Sequence, residues 1–119
     1  MAKGKLYVPG ETEAFRLSRS KIEEFVRCPR CFVLAVKHGV KKPGGVPFTL
    51  NVAVDNQMKK EFDLYRSKKE PHPLVAAAGL DLVPFSHPDI DLWRNNFKGV
   101  SHKTEDGRFE IYGAVDDIW

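Results

Sequence analysis

Long hydrophobic runs are missing from this sequence. No stretch of about 18 consecutive apolar residues occurs in the 119 residues, so none of its helices is expected to span a bilayer. The basic segment from Met1 to Lys5 is not followed by an apolar region of the kind that a secretory signal requires. We therefore expect a cytoplasmic protein without a membrane partner.

Cysteine is almost as scarce. The sequence has two, and both lie in the segment Cys28-Pro29-Arg30-Cys31. Two cysteines cannot build a disulfide framework, and a bridge between positions so close on a helix is strained. A thioredoxin-like redox role is disfavoured because the pair does not follow a strand of a βαβ unit. We expect reduced thiols or half of a metal site.

The net charge of +3 is small but unevenly distributed. Residues 1–45 carry ten Lys and Arg against four Glu, whereas residues 46–119 carry nine against twelve acids. A basic segment joined to an acidic one is typical of a protein that holds phosphates with one part and a divalent metal with the other. A solvated helix face explains the same charges equally well. The basic residues that we expect to contact nucleic acid are Arg19, Lys21, Arg27 and Arg30.

Capping signals predict where the first helices begin and end. After an extended lead-in over residues 1–16, Ser18 and Ser20 are candidate N-caps, and Ser20 with Glu23 has the spacing of a capping box. Pro29 must interrupt the helix or start a new one. A second short helix is then expected.

A longer helix is predicted further along the chain. The second short helix should end near His38, with Gly39 as its C-cap, and a helical pattern then runs from Leu50 to about Lys68. On a helical wheel its apolar side chains form one stripe, and Glu61 falls within that stripe. A carboxylate in a core needs a partner. Glu61 is therefore either a structural residue paired with a buried Arg or backbone amides, or a metal ligand or general base.

The histidines share no spacing that is typical of metal ligands. We expect all of them at the surface or in loops: His38, His72, His87 and His102.

The C-terminal part of the sequence predicts a β-hairpin. Phe97 to Lys103 and Arg108 to Trp119 flank the pair Asp106-Gly107, which favours a tight turn between antiparallel strands. Side chains alternate along a strand, so Asp116 and Asp117 should lie on opposite faces. The fold class is therefore α/β, with N-terminal helices and an antiparallel hairpin.

This set of elements is small for a stable domain. A lone hairpin is marginal, and the sequence stops at Trp119 within an apolar strand, whereas chain ends are usually polar. We expect either a piece of a larger domain or a chain whose sheet edge is completed by another copy or by a partner.

Three segments carry a family resemblance. Leu17 to Ser20 and the step Cys28-Pro29 are similar to an opening "L-S-x-S" helix and its "C-P" step, and the helix from Leu50 is similar to one that carries an active-site His or Glu. Gly113 to Asp116 is similar to a "G-x-(I/V)-D" strand. Together, over residues 17–119, they resemble the RecB-like branch of the PD-(D/E)XK nuclease superfamily, which includes CRISPR-associated RecB-like exonucleases.

The resemblance implies a partial restriction-endonuclease-like domain over residues 17–119 and hydrolysis of DNA with Mg²⁺ or Mn²⁺. It implies that Asp116, rather than Asp117, points into the site as a catalytic residue and metal ligand. On the long helix, Glu61 is a candidate catalytic acid and ligand, and Asp55 stands where the family often has His. The family's next strand supplies an acid, a spacer and a lysine, and a helix and a strand follow. These elements are missing here, so we expect the chain to be inactive by itself.

The resemblance also bears on the cysteines. Cys28 matches the first ligand of the family's iron–sulfur subgroup, and Cys31 is an added neighbour. An iron–sulfur cluster or zinc needs four ligands, so such a site would close only with ligands outside this chain. Two packed thiols at a helix junction are the alternative.

A second reading of the whole chain stays open. In this alternative the same core is a non-catalytic module that binds nucleic acid or another protein and gains its missing sheet edge from a partner.

Overall fold

Helices and a small mixed sheet make up the computed structural model, which describes residues 4–119 and confirms the α/β class. The described residues form three strands and five helices. In chain order these are β1 (Phe15–Ser18), α1 (Arg19–Arg27), α2 (Pro29–His38), α3 (Thr49–Lys68), α4 (Pro73–Ala77), α5 (Ile90–Trp93), β2 (Val100–Lys103) and β3 (Phe109–Gly113). Within the described range, no helix has both the length and the hydropathy needed to cross a membrane.

The strand β3 lies in the centre of the sheet, in the order β1-β3-β2. β2 pairs with it antiparallel, with Val100 opposite Gly113, which confirms the hairpin. β1 pairs with it in parallel, with Phe15 opposite Phe109. The sequence did not predict this third strand, which comes from the end of the lead-in.

Both hairpin strands are shorter than predicted, and the expected strand over residues 108–119 ends at Gly113. Beyond it, the Val115 N–H donates to the Trp93 carbonyl at 3.0 Å, and the Phe85 N–H donates to the Ile118 carbonyl at 2.9 Å. These partners do not belong to a strand, so the sheet ladder stops. Because β3 has a neighbour on each side, the edges of the sheet are β1 and β2.

The helices follow their capping signals closely. α1 begins two residues earlier than the capping box suggests, because the Ser18 hydroxyl accepts the Lys21 N–H at 3.4 Å and Ser20 lies inside the helix. α2 ends at His38, and Gly39 takes a φ of 71° as expected for a C-cap. α3 matches its predicted range to within one residue.

A small apolar cluster, which we call the sheet core, joins the sheet to α2. It contains Tyr7, Phe15, Val36 and Phe109. The Tyr7 ring meets Phe15 edge-on at 5.5 Å and stacks on Phe109 at 6.3 Å between centroids. The Tyr7 N–H donates to the Val36 carbonyl at 2.8 Å. Phe15 and Val36 are buried, so this cluster fixes α2 against β1 and β3.

Much apolar surface stays outside this core. The surface area is 9580 Å², against about 6,500 Å² for a folded monomer of this mass. The radius of gyration is 18.2 Å, against about 13.5 Å for a compact chain of this length. On α3, the predicted apolar stripe is exposed at Leu50 and Val54, because no other described helix or strand packs extensively against α3.

Candidate functional site

The "G-x-(I/V)-D" segment lies at one end of the sheet. Because β1 and β3 are parallel, their carboxyl ends meet at the same edge. Arg19 follows β1 there, and residues 114–116 follow Gly113, the last residue of β3. An open groove of about 710 Å³, which we call the carboxyl-end groove, is lined by Arg19, His102, Tyr112 and residues 113–115. The fold therefore brings two of the three motif segments together, although Asp116 itself lies just beyond the lining residues.

A close backbone approach supports this end of the sheet. Gly99 has a φ of 55°, and a Cβ atom there would lie 2.2 Å from the Gly113 carbonyl oxygen. Only glycine fits this position without displacing the segment after β3. Gly99 was not predicted as a site residue, although a glycine inside the predicted strand from Phe97 to Lys103 is a signal for such an approach.

The two consecutive aspartates have opposite surroundings. The Asp117 side chain is 6% exposed and faces α3, whereas Asp116 is exposed. The prediction that Asp116 points inward and Asp117 outward is wrong, because it continued strand alternation through a segment that is no longer a strand. The role of Asp116 as a metal ligand stays a prediction.

Two arginines hold Asp117 in place. Arg66 of α3 donates through Nη2 to Asp117 Oδ1, and Arg94 Nη2 lies 2.9 Å from the same oxygen. Both arginines also form ion pairs with Asp63. Arg66 pairs through its Nη1 atom, and Arg94 Nη1 lies 2.9 Å from Asp63 Oδ1. The Arg66 Nε–H donates to the Phe85 carbonyl at 2.7 Å. These four charged side chains, Asp63, Arg66, Arg94 and Asp117, form the arginine–aspartate network.

The network balances its own charge. Burial opposes the charged form of Arg94, but Asp117 and Asp63 outweigh that effect and raise its pKa. The Ile118 N–H donates to Asp117 Oδ1 at 2.8 Å, while Asp117 Oδ2 is buried without a hydrogen bond in the described structure. With two carboxylates facing two guanidinium groups, the network is suited to hold three segments together rather than to activate a substrate.

Glu61 contacts a histidine instead of the expected arginine or backbone amides. Its side chain is 50% exposed and does not enter an apolar core. His72 lies in the loop before α4, one of the two expected locations, but it is 3% exposed and therefore not at the surface. The Leu74 N–H donates to His72 Nδ1 at 3.2 Å. Nε2 must therefore carry the proton, which it donates to Glu61 Oε1 at 2.8 Å. The rings edge-on to His72 are Phe62, Tyr65 and Trp119.

The other candidate ligand on α3 is also engaged by a neighbour. Asp55 accepts a hydrogen bond from Lys59 at 2.7 Å, one turn along the helix. Among residues 4–119, no three His, Cys, Asp or Glu side chains lie close enough together to hold a metal ion. Metal ligation by Glu61 or Asp55 stays a prediction.

Cys28 and Cys31 are joined in a disulfide, which corrects the expectation of reduced thiols. Their Cα atoms are 5.3 Å apart. The predicted strain assumed that both residues were helical, but Cys28 is the N-cap of α2 with an extended φ of −156°. The Cys31 N–H donates to the Cys28 Sγ at 3.2 Å. A zinc or cluster half-site would require the reduced pair.

The four predicted nucleic-acid contacts do not share one surface. Arg19 lines the carboxyl-end groove, and Lys21 lines a different cavity. Arg27 pairs with Glu23 at 2.7 Å, and Arg30 is exposed in the first turn of α2. Binding to nucleic acid by this set stays a prediction.

Comparisons of the chain with protein-family models, with curated proteins and with solved structures find no significant match. The resemblance to PD-(D/E)XK nucleases therefore depends on the three motifs and on the elements that carry them.

Proposed function

We propose that this chain forms part of a PD-(D/E)XK-type nuclease domain that acts on DNA. One observation supports the proposal most. The segment Leu17 to Ser20 lies at the carboxyl end of β1, and the segment Gly113 to Asp116 lies at the carboxyl end of β3. The two strands are parallel and directly paired, so both segments lie at the carboxyl-end groove. In α/β sheets this edge is where ligands bind. A cytoplasmic location is part of the proposal.

The described residues do not by themselves fit a magnesium or manganese site. Such cations take several oxygen ligands, and Asp116 is a single exposed carboxylate. No acid in the sequence is followed two positions later by lysine, so the acid–spacer–lysine pair is not supplied. We assign no catalytic step to these residues and expect the 119-residue chain to leave DNA uncut.

In this proposal the arginine–aspartate network has a positioning role. Asp117 is the direct neighbour of Asp116, and its ion pairs with Arg66 and Arg94 attach this part of the backbone to α3. Asp116 directly follows Val115, which lines the same groove as Arg19, so in this proposal the network positions the backbone that carries the exposed Asp116 carboxylate.

The metal-ligand assignment is tested by paramagnetic broadening of backbone NMR signals with Mn²⁺. We expect broadening centred on residues 113–117 in the wild type and its loss in Asp116→Ala. Asp81→Ala is the matched control, because Asp81 is also exposed and makes no ion pair in the described structure. Broadening that is spread over all acidic residues, or that survives in Asp116→Ala, would contradict the assignment.

The catalytic part of the proposal is tested with labelled single- and double-stranded DNA in the presence of Mg²⁺ or Mn²⁺. We expect binding without cleavage, with an affinity for duplex that falls with a slope of about −0.9 per neutralised phosphate. Metal-dependent cleavage that Asp116→Ala abolishes would show that the chain is active without the acid and lysine. A flat salt response would count against DNA as the ligand.

A non-catalytic interaction module is the second candidate. The observation that favours it is the surface area of 9580 Å², about 1.5 times that expected for the mass. If Mn²⁺ does not localise at Asp116, this candidate becomes the better one.

A further inference from the structure

Four lysines line one cavity of the described structure. The cavity has a volume of about 310 Å³ and lies between the N-terminal segment, α1, α2 and the loop that follows α2. The lysines come from three separate parts of the chain: Lys5, Lys21, Lys41 and Lys42. Like charges that meet at one concave surface raise its positive potential, so the cavity attracts anions.

Two of the four lysines are neutralised by acids of this chain. Lys5 pairs with Glu13 and lies 3.2 Å from Glu11. Lys42 lies 3.7 Å from Glu24, which also lines the cavity. Among the described residues, the remaining two lysines of the lining have no such acid partner.

The other two, Lys21 and Lys41, take part in no ion pair among residues 4–119. Lys21 is half-buried, and its Nζ lies 4.8 Å from the Phe15 ring centroid and 3.4 Å from the Arg16 carbonyl oxygen, to which it donates. Burial, followed by repulsion from Lys41 and Arg16, lowers the pKa of Lys21. The ammonium is thus held in place but lacks a counter-charge.

We propose that this cavity binds a phosphate group between Lys21 and Lys41. A cavity of about 310 Å³ is much larger than the ~30 Å³ of one water molecule, so a tetrahedral oxyanion fits. Lysine is a common phosphate ligand because its ammonium donates three hydrogen bonds. The phosphate is either a free anion or a phosphodiester of nucleic acid, since both present the same oxygens. The inference goes beyond the proposed nuclease function and does not depend on it.

The first arm of the test uses inorganic phosphate and the full chain. We titrate isotope-labelled protein at low ionic strength and follow backbone and lysine side-chain NMR signals. Shifts should localise to Lys21 and Lys41, and the Lys21 pKa should rise towards its ordinary value as phosphate binds. Lys21→Gln and Lys41→Gln should each weaken binding about tenfold, the effect of losing one charged hydrogen bond. The matched control is Lys60→Gln, an exposed lysine of α3 that makes no ion pair in the described structure and should bind as the wild type does.

The second arm uses a labelled oligonucleotide and fluorescence anisotropy with the same variants. If both variants weaken DNA and phosphate binding together, the site takes a phosphodiester, and if only phosphate binding weakens, it takes a free anion. Both results support the site, and the second would mean that DNA contacts the chain outside this cavity.

The proposal would be overturned if Lys21→Gln and Lys41→Gln bound phosphate as tightly as Lys60→Gln does. It would also be overturned if the NMR chemical-shift changes fell on residues that do not line the cavity. Circular dichroism checks the fold of each variant. Should Lys21→Gln unfold, Lys21→Arg is expected to keep binding, and Lys41→Gln then decides the outcome.

Discussion

Apolar contacts hold the sheet against α2, whereas charged contacts hold α3 against the segment that follows β3. In the sheet core, Phe15 and Val36 are buried against aromatic rings. In the arginine–aspartate network, Arg66 and Asp117 are buried to a similar degree but meet through ion pairs. Apolar packing is non-directional, and its strength follows the area buried. Ion pairs depend on each partner being present, so the two regions should respond differently to substitutions of the same size.

The largest effect is expected for Asp117→Asn, which keeps the shape of the side chain but removes its charge. Arg66 and Arg94 would lose a buried counter-ion, which costs about 3–5 kcal/mol of unfolding free energy. Asp116→Asn is the matched control at the neighbouring exposed position and should change stability by less than about 0.5 kcal/mol. Urea unfolding followed by circular dichroism measures both variants. Equal midpoints would mean that the network adds nothing to stability.

Gly99→Ala tests the end of the sheet, where β3 ends and the segment that leads to Asp117 begins. The left-handed backbone costs alanine about 1–2 kcal/mol, and the Cβ contact with the Gly113 carbonyl adds about 1–3 kcal/mol of overpacking. Gly107→Ala is the control, because Gly107 also has a positive φ of 68° but nothing lies within 4 Å of a Cβ there. In thermal unfolding, Gly99→Ala should have a lower melting temperature than Gly107→Ala. The reverse order would refute the close approach.

Phe15→Leu sharpens the comparison from the apolar side. The substitution keeps most of the buried area, and the sheet core should adapt to it at a cost below about 1.5 kcal/mol. In the same urea experiment this variant should stay well above Asp117→Asn in midpoint. If Phe15→Leu has the same urea midpoint as Asp117→Asn, then the exact shape of the sheet core matters as much for stability as the ion pairs of the network.

The smallest effect is expected for an exposed charge. Hydrogen bonds from Thr104 and Arg108 lower the pKa of Asp106 from 3.8 to about 2. Because this pKa is lower in the folded chain than in the unfolded one, Asp106 contributes its stability fully above about pH 4 and loses it as the pH falls towards 2. An NMR pH titration of the Gly107 and Arg108 amides should follow this loss. In Asp106→Asn the titration step should disappear.

Local signals in the sequence were enough for most helices and for the hairpin turn. The proline and glycine that bound α2, and the Asp-Gly pair between β2 and β3, act within a few residues of themselves. The range of α3 followed from its helical pattern alone. None of these features depends on which segments meet in three dimensions.

Contacts between distant segments were not predictable from the same signals. β1 has only four residues and no strand pattern of its own, and it forms because β3 pairs with it. His72 lies between two prolines and looks like a loop residue, yet it is buried under Trp119 and two α3 rings. The reversal of Asp116 and Asp117 has the same origin, because it depends on where Arg66 and Arg94 lie.

The parallel pairing of β1 with β3 also sets an order of folding. The two strands are separated by about 90 residues, so closing the loop between them costs more chain entropy than closing the hairpin of β2 and β3. Long-range parallel pairing is slow compared with local structure. We expect the hairpin and the helices to form first. The Phe15 amide should then be the last to gain protection from hydrogen exchange. During synthesis, β1 would leave the ribosome long before β3 is made. Its apolar residues would therefore stay unpaired and exposed until β3 emerges.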